Sequence, residues 1–169
     1  MLFRSLTVDN IVGATTAANV KLPAGYVIQT QYAQSMAQVT STITTLNNPT
    51  ESGLNVIITP KYNTSKILLM MSISLRGDGS NAYVNALIKR NTTLIDLLGG
   101  SQTNDGVMDY AINFTGGRFH GQFLDSPATT SATTYKFCFT RYGGSGTAYF
   151  NNSGSNLSFS SMVAMEIAQ

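Results

Sequence analysis

Hydrophobic positions in this 169-residue chain recur mainly with a period of two, the spacing of strands with one buried face. Tyr135, Phe137 and Phe139 alternate with Lys136, Cys138 and Thr140. Near the C-terminus Leu157, Phe159, Val163, Met165 and Ile167 alternate with Ser158, Ser160 and Glu166, and the apolar set is expected to face the core. The pattern predicts strands near Gly25 to Gln34, Ala37 to Leu46, Leu54 to Thr59, Ile67 to Leu75, Ala82 to Arg90, Thr93 to Leu98, Val107 to Phe114, Arg118 to Leu124, Thr134 to Arg141, Thr147 to Phe150 and Leu157 to Ala168. Turn residues punctuate them, among them Asn47-Asn48-Pro49, Gly77-Asp78-Gly79, Ser126-Pro127 and Asn151-Asn152-Ser153-Gly154. No stretch predicts a helix of ordinary length. The expected fold is therefore all-β, an antiparallel jelly-roll-like β-sandwich over residues 25–169, preceded by an extended N-terminal arm over residues 1–24.

One strand breaks the alternation. In Ile67-Leu68-Leu69-Met70-Met71 both faces are apolar, so Leu68 and Met70 point away from the face that Ile67, Leu69 and Met71 bury. An antiparallel sandwich normally leaves that second face to water, which makes Leu68 and Met70 candidates for an interface with a neighbouring subunit. The arm carries its own apolar residues, Leu2, Phe3, Leu6, Val8, Ile11 and Val12, too few to fold alone but suited to packing on a partner. Cys138, the single cysteine, cannot form an internal disulfide, and it falls opposite the aromatics of its strand as a small apolar filler.

Composition reinforces the β reading and narrows the chemistry. Only 11% of residues are charged, with a net charge of +2, whereas about 50 are Ser, Thr or Asn. The charges are scattered, so no footprint for nucleic acid or an anionic membrane surface is expected. No segment approaches a membrane span, and Met1 to Val12 lacks the apolar stretch of an export signal, so neither membrane insertion nor export is expected. His120, the only histidine, has no second His or Cys at ligand spacing, so no metal site or other cofactor is expected. Asp96, Asp109, Asp125 and Glu166 are dispersed; folding could pair any two of them as a glycosidase does, but no spacing favours it. Arg76-Gly77-Asp78 spells an adhesion tripeptide that a tight turn explains equally well. Tyr110, Phe119, Tyr142 and Tyr149 lie near glycine-rich loops, where an aromatic ring can stack on a sugar or simply pack.

Four segments taken together resemble the β-sandwich modules of virion surface proteins from tailed bacteriophages, particularly phages of cyanobacteria and marine bacteria. They are Leu22-Pro23-Ala24-Gly25-Tyr26-Val27-Ile28-Gln29, Gly53 to Pro60 with Ser65 to Met70, Asp125 to Lys136, and Met165-Glu166-Ile167-Ala168. Leu6 to Gly13 also looks like the stretch that precedes such modules. The resemblance implies a non-enzymatic homotrimer on the virion exterior, assembled in the host cytoplasm, and it transfers no catalytic residues. With an arm of about two dozen residues and no repeats to form a shaft, the expectation is a capsid cement or decoration protein whose arm grips the major capsid protein. The alternative is a short tail fibre, attached to tail or baseplate proteins, whose Tyr110, Tyr142 and Tyr149 loops bind host surface glycan.

Overall fold

A computed structural model describes residues 23–78, 83–97, 117–142, 145–151 and 158–169. Ten strands cover most of these residues, and no helix occurs among them. They are β1 (Val27–Ser35), β2 (Val39–Ser41), β3 (Thr50–Ile58), β4 (Lys66–Gly77), β5 (Tyr83–Arg90), β6 (Thr93–Leu97), β7 (Gly117–Asp125), β8 (Thr133–Tyr142), β9 (Ala148–Phe150) and β10 (Ser160–Ile167). Most begin and end within a few residues of the sequence expectation. The exceptions are β2, which stops at Ser41 rather than Leu46, and β3, which starts earlier at Thr50. The expected strand at Val107 to Phe114 lies outside the described residues, as does nearly all of the arm.

Two antiparallel sheets form. The first runs β1-β10-β4-β9-β2 with β7 added on the other edge of β4; the second runs β3-β8-β5-β6. The order has a simple origin. Strand β1 with β2 pairs β10 with β9, β3 pairs β8, β4 pairs β7, and β5 pairs β6. That is one long antiparallel hairpin, nested from its ends to its tip. Rolling it up so that β10 also meets β4 and β8 also meets β5 closes two four-deep layers, which is the jelly roll.

The inner faces interdigitate as alternation requires. Leu54, Val56 and Ile58 from β3, Ile67, Leu69, Ile73 and Leu75 from β4, and Tyr135, Phe137 and Phe139 from β8 are all at most 2% exposed. Phe150 of β9 plugs the centre, its ring centroid 5.8 Å from that of Phe137 and 6.2 Å from that of Phe139. Cys138 is fully buried but belongs to the opposite face of β8, apart from this cluster, as its alternation predicts.

Polar groups complete the interior where strands break. Strand β4 pairs β10 through Lys66 to Ser72 and then β9 through Leu75 to Gly77, so its neighbours change partway along. Asn151, 2% exposed and with φ 56°, sits at that change. Its backbone N–H donates to Ser74 O at 2.9 Å, and its Nδ2 donates to Ser35 O at 2.8 Å and Ala37 O at 3.1 Å. Its Oδ1 accepts from the Ser160 hydroxyl, whose oxygen in turn accepts from Ser74 N. One side chain thereby satisfies the backbone left unpaired between β1 and β2 and fastens it to β4 and β10.

Candidate functional site

Register places β1, β10, β4 and β7 side by side and decides what their outer face carries. One row across the sheet is Thr30, Met165, Leu68 and Leu124; the next is Tyr32, Val163, Met70 and Gln122. Val27 and Ile167 extend the apolar area toward Lys66. Tyr32 is 58% exposed, Val27 50%, Leu124 48% and Met70 43%. Leu68, Val163, Met165 and Ile167 are half-buried among them. At about 4.8 Å per strand, four strands make this face some 15 Å wide and almost continuous in apolar side chains. The sequence expectation for Leu68 and Met70 holds in its geometric part: both point away from the core.

The expectation for β10 does not hold. Its inward residues are Ser160, Met162, Ala164 and Glu166, with Ala168 beyond, while Val163, Met165 and Ile167 face outward with Phe159 exposed before them. The inner face accepts the polar residues because each is fully partnered. Ser160 belongs to the Asn151 network, and Glu166 accepts from Gln29 Nε2 at 2.6 Å and from the backbone N–H of Lys61 at 2.7 Å and Tyr62 at 3.3 Å. Val163, Met165 and Ile167 thereby join Leu68 and Met70 on the outward face.

Two basic residues, Lys66 and Arg118, border this face. Lys66 lies beside Ile167, His120 is exposed on β7 beside Ser72, and Arg118 holds its guanidinium 4.7 Å from the exposed Phe159 ring while donating to the Ser72 hydroxyl. A depression of about 300 Å³ opens between Met70, Met71, His120, Gly121 and Gln122. Gly121 leaves room for the Phe119 ring folded beneath it, since a Cβ there would come within 2.6 Å of that ring and the ring would have to shift. Phe119 is thus a packing aromatic against the core rather than an exposed ring.

Among the described residues, Asp125, Glu166 and Asp78 are held by hydrogen bonds within the fold. Asp125 ends β7 and receives both contacts of Arg90 at 2.9 Å and the Tyr135 hydroxyl at 2.6 Å, tying β7 of the first sheet to β5 and β8 of the second. Burial, and then this hydrogen bond to a carboxylate, push the Tyr135 phenol far above its ordinary range. Glu166 and Asp125 flank Ile67 on neighbouring strands, so they stand roughly 10 Å apart with their oxygens occupied. Asp78 accepts from the Tyr149 hydroxyl and, at 2.6 Å, from Thr147 N; the Tyr149 bond is the main reason its pKa lies below the usual carboxylate range. Arg76 lies 4.1 Å over the Tyr149 ring. The Arg76-Gly77-Asp78 tripeptide is therefore folded back onto Tyr149, with Gly146 admitting Asp78 O where a Cβ would clash. Among the described residues no three metal-ligating side chains come together, and no helix is long and apolar enough to cross a membrane.

The remaining sequence candidates are not brought together. Leu2, Phe3, Leu6, Val8, Ile11, Val12, Tyr110 and Asp109 lie outside the described residues. Tyr142 ends β8, and Tyr149 in β9 is half-buried with one ring face and its hydroxyl engaged. What sequence reasoning missed was the contribution of β10; the signal was present in Met162 and Ala164, small and apolar at the alternate positions.

No family model matches this chain, and no curated protein matches it. Among solved structures, one of infectious bursal disease virus, Gt strain, aligns over 100% of this chain and 43% of that chain, with 11% identity and a TM-score of 0.44. Dimeric latent PorU from Porphyromonas gingivalis aligns over 88% of this chain and 14% of its own, with 11% identity and a TM-score of 0.34. The chain thus spans less than half of either. Likenesses this distant carry no argument about activity; the chain is an all-β protein of two antiparallel sheets, a jelly roll by the order of its own strands.

Proposed function

We propose that this protein is a non-enzymatic structural component of a tailed-phage virion exterior, a capsid decoration protein that works by contact. The observation that carries the reading is the outward apolar face of the first sheet, centred on Leu68, Met70, Val163 and Met165. Exposed apolar area of this kind on a folded domain marks a surface that is covered in use. The resemblance of its segments to phage virion modules supplies the setting, and the jelly roll, which also houses capsid and lectin domains, is compatible with it as an analogy of fold. In this reading the domain lies on the shell, residues 1–24 act as an anchoring arm, and copies associate as trimers.

Quantifying the chain against the major capsid protein in purified particles tests this. A ratio near one to one, or one to a few, is expected for decoration. Copies in the tens per particle would place it on the tail instead, as a short fibre. Removal of residues 1 to 20 is expected to leave the sandwich folded and to abolish incorporation; normal occupancy without them would exclude the arm as anchor.

A further inference from the structure

We infer that the outward face of the first sheet docks on a protein surface whose apolar centre is bordered by carboxylates, and not on a second copy of this chain. The inference rests on the decoration reading for its setting and departs from the expectation that Leu68 and Met70 meet a neighbouring subunit of the same kind. Its basis is the sign of the charges. Among the described residues, Lys66 and Arg118 are the charged side chains that border the apolar area; Arg76, farther along β4, shares Tyr149 with Asp78, so those two charges offset each other, and the other carboxylates lie elsewhere. Glu166 and Asp125 point inward and are fully hydrogen-bonded. Glu51 belongs to the second sheet, where Lys89 and Lys136 hold it. Asp78, at the far end, is held by Tyr149 and Thr147.

Two copies meeting through this face would bring Lys66 and Arg118 of each together with no carboxylate among the described residues bordering the apolar area to compensate, and like charges opposed at an interface cost affinity and suppress the wrong partner. A carboxylate-bordered partner gains from the same arrangement. None of the described ion pairs involves Lys66 or Arg118, so neither is already committed to a carboxylate there. Arg118 is partly positioned for such a partner, since Ser72 and the Phe159 ring hold its guanidinium at the surface. An anionic lipid surface is the less favoured occupant, because recognition of one calls for a denser cluster of basic residues than Lys66 and Arg118 supply.

The test uses the full chain in two assays. In the first, wild type and Met70→Glu are compared by sedimentation velocity; the same oligomeric state in both is expected, and a shift to smaller species in Met70→Glu would show a self-interface and overturn the inference. In the second, both proteins and the double variant Lys66→Glu/Arg118→Glu are re-bound to particles stripped of the protein, after melts confirm that each is folded. At least a tenfold loss of affinity is expected for Met70→Glu and for the double variant, with wild-type binding weakening as NaCl rises from about 0.05 to 0.5 M. Undiminished binding of either variant would overturn the inference while leaving decoration intact. Failure of wild type to re-bind would remove the decoration reading and this inference with it. Charge-dependent binding of wild type to phosphatidylserine vesicles would replace the protein partner with a lipid surface.

Discussion

Asp125 illustrates how a carboxylate in this chain serves the fold. It sits where the two sheets meet, and Arg90 and Tyr135 satisfy both of its oxygens. Asp125→Asn leaves a partly buried guanidinium without its counter-charge, and a urea melt is expected to show a loss of about 2–4 kcal/mol. Tyr135 gives this site a pH signature. Its folded pKa is raised, chiefly by burial, so above about pH 10 the unfolded chain releases a proton that the native state keeps. Stability from this residue is fully present below that pH and falls by about 1.4 kcal/mol per unit above it. Melts of wild type and Tyr135→Phe at pH values from about 9 to 11 check this: the wild type should lose more stability than the variant over that interval. Cys138 is equally shaped by its surroundings, since burial pushes the thiol up to about 12. Ellman's reagent should label it only when the protein unfolds; rapid labelling of native protein at pH 8 would place the thiol at the surface.

At the scale of elements, the first sheet depends on a join. Strands β1 and β2 are interrupted opposite the interval between β9 and β10, and Asn151 bridges both interruptions. Asparagine suits the position twice over, because it tolerates positive φ and its amide offers donor and acceptor together. Asn151→Ala removes both advantages and is expected to cost about 2–4 kcal/mol, with hydrogen exchange accelerating in β2 and β9 before β10. Leu69 and Phe137, each fully buried, test the core itself. Truncation to Ala at either is expected to cost roughly 2–5 kcal/mol in a denaturant melt. Strand β10 shows why periodicity alone is an incomplete guide: it locates a strand's two faces but does not say which one is inside. The apolar face of β10 is outside because Glu166 and Ser160 find complete sets of partners within.

For the whole molecule, the two faces of one strand meet different surroundings. Ile67, Leu69, Met71, Ile73 and Leu75 of β4 are buried in the sandwich, whereas Leu68 and Met70 are not. Met70→Ser is therefore expected to change stability by less than about 1 kcal/mol, unlike Leu69→Ala, yet to reduce association with particles. A large loss of stability in Met70→Ser would mean that the outer face is covered within the chain. The four segments that resemble phage virion modules also converge. Gly25 and Tyr26 bond to Ala168, Gln29 bonds to Thr59 O and Glu166, and Asp125 pairs Ile67 in the ladder. They build one end of the sandwich.

Much of this architecture was legible in the order of residues. Alternation in Tyr135 to Thr140 and the doubly apolar run from Ile67 to Met71 announced an antiparallel sandwich, an inward aromatic row and an outward apolar strand, because side-chain direction in a strand depends only on parity. Parity is local, however, and the sidedness of β10, the joining role of Asn151 and the partners of Asp125 are not. Each of those depends on which backbone groups and donors arrive from segments tens of residues away. Only the rolled hairpin brings Lys61 N–H to Glu166, Ser35 O to Asn151 and Arg90 to Asp125, and in doing so it leaves an apolar face with a basic border turned outward.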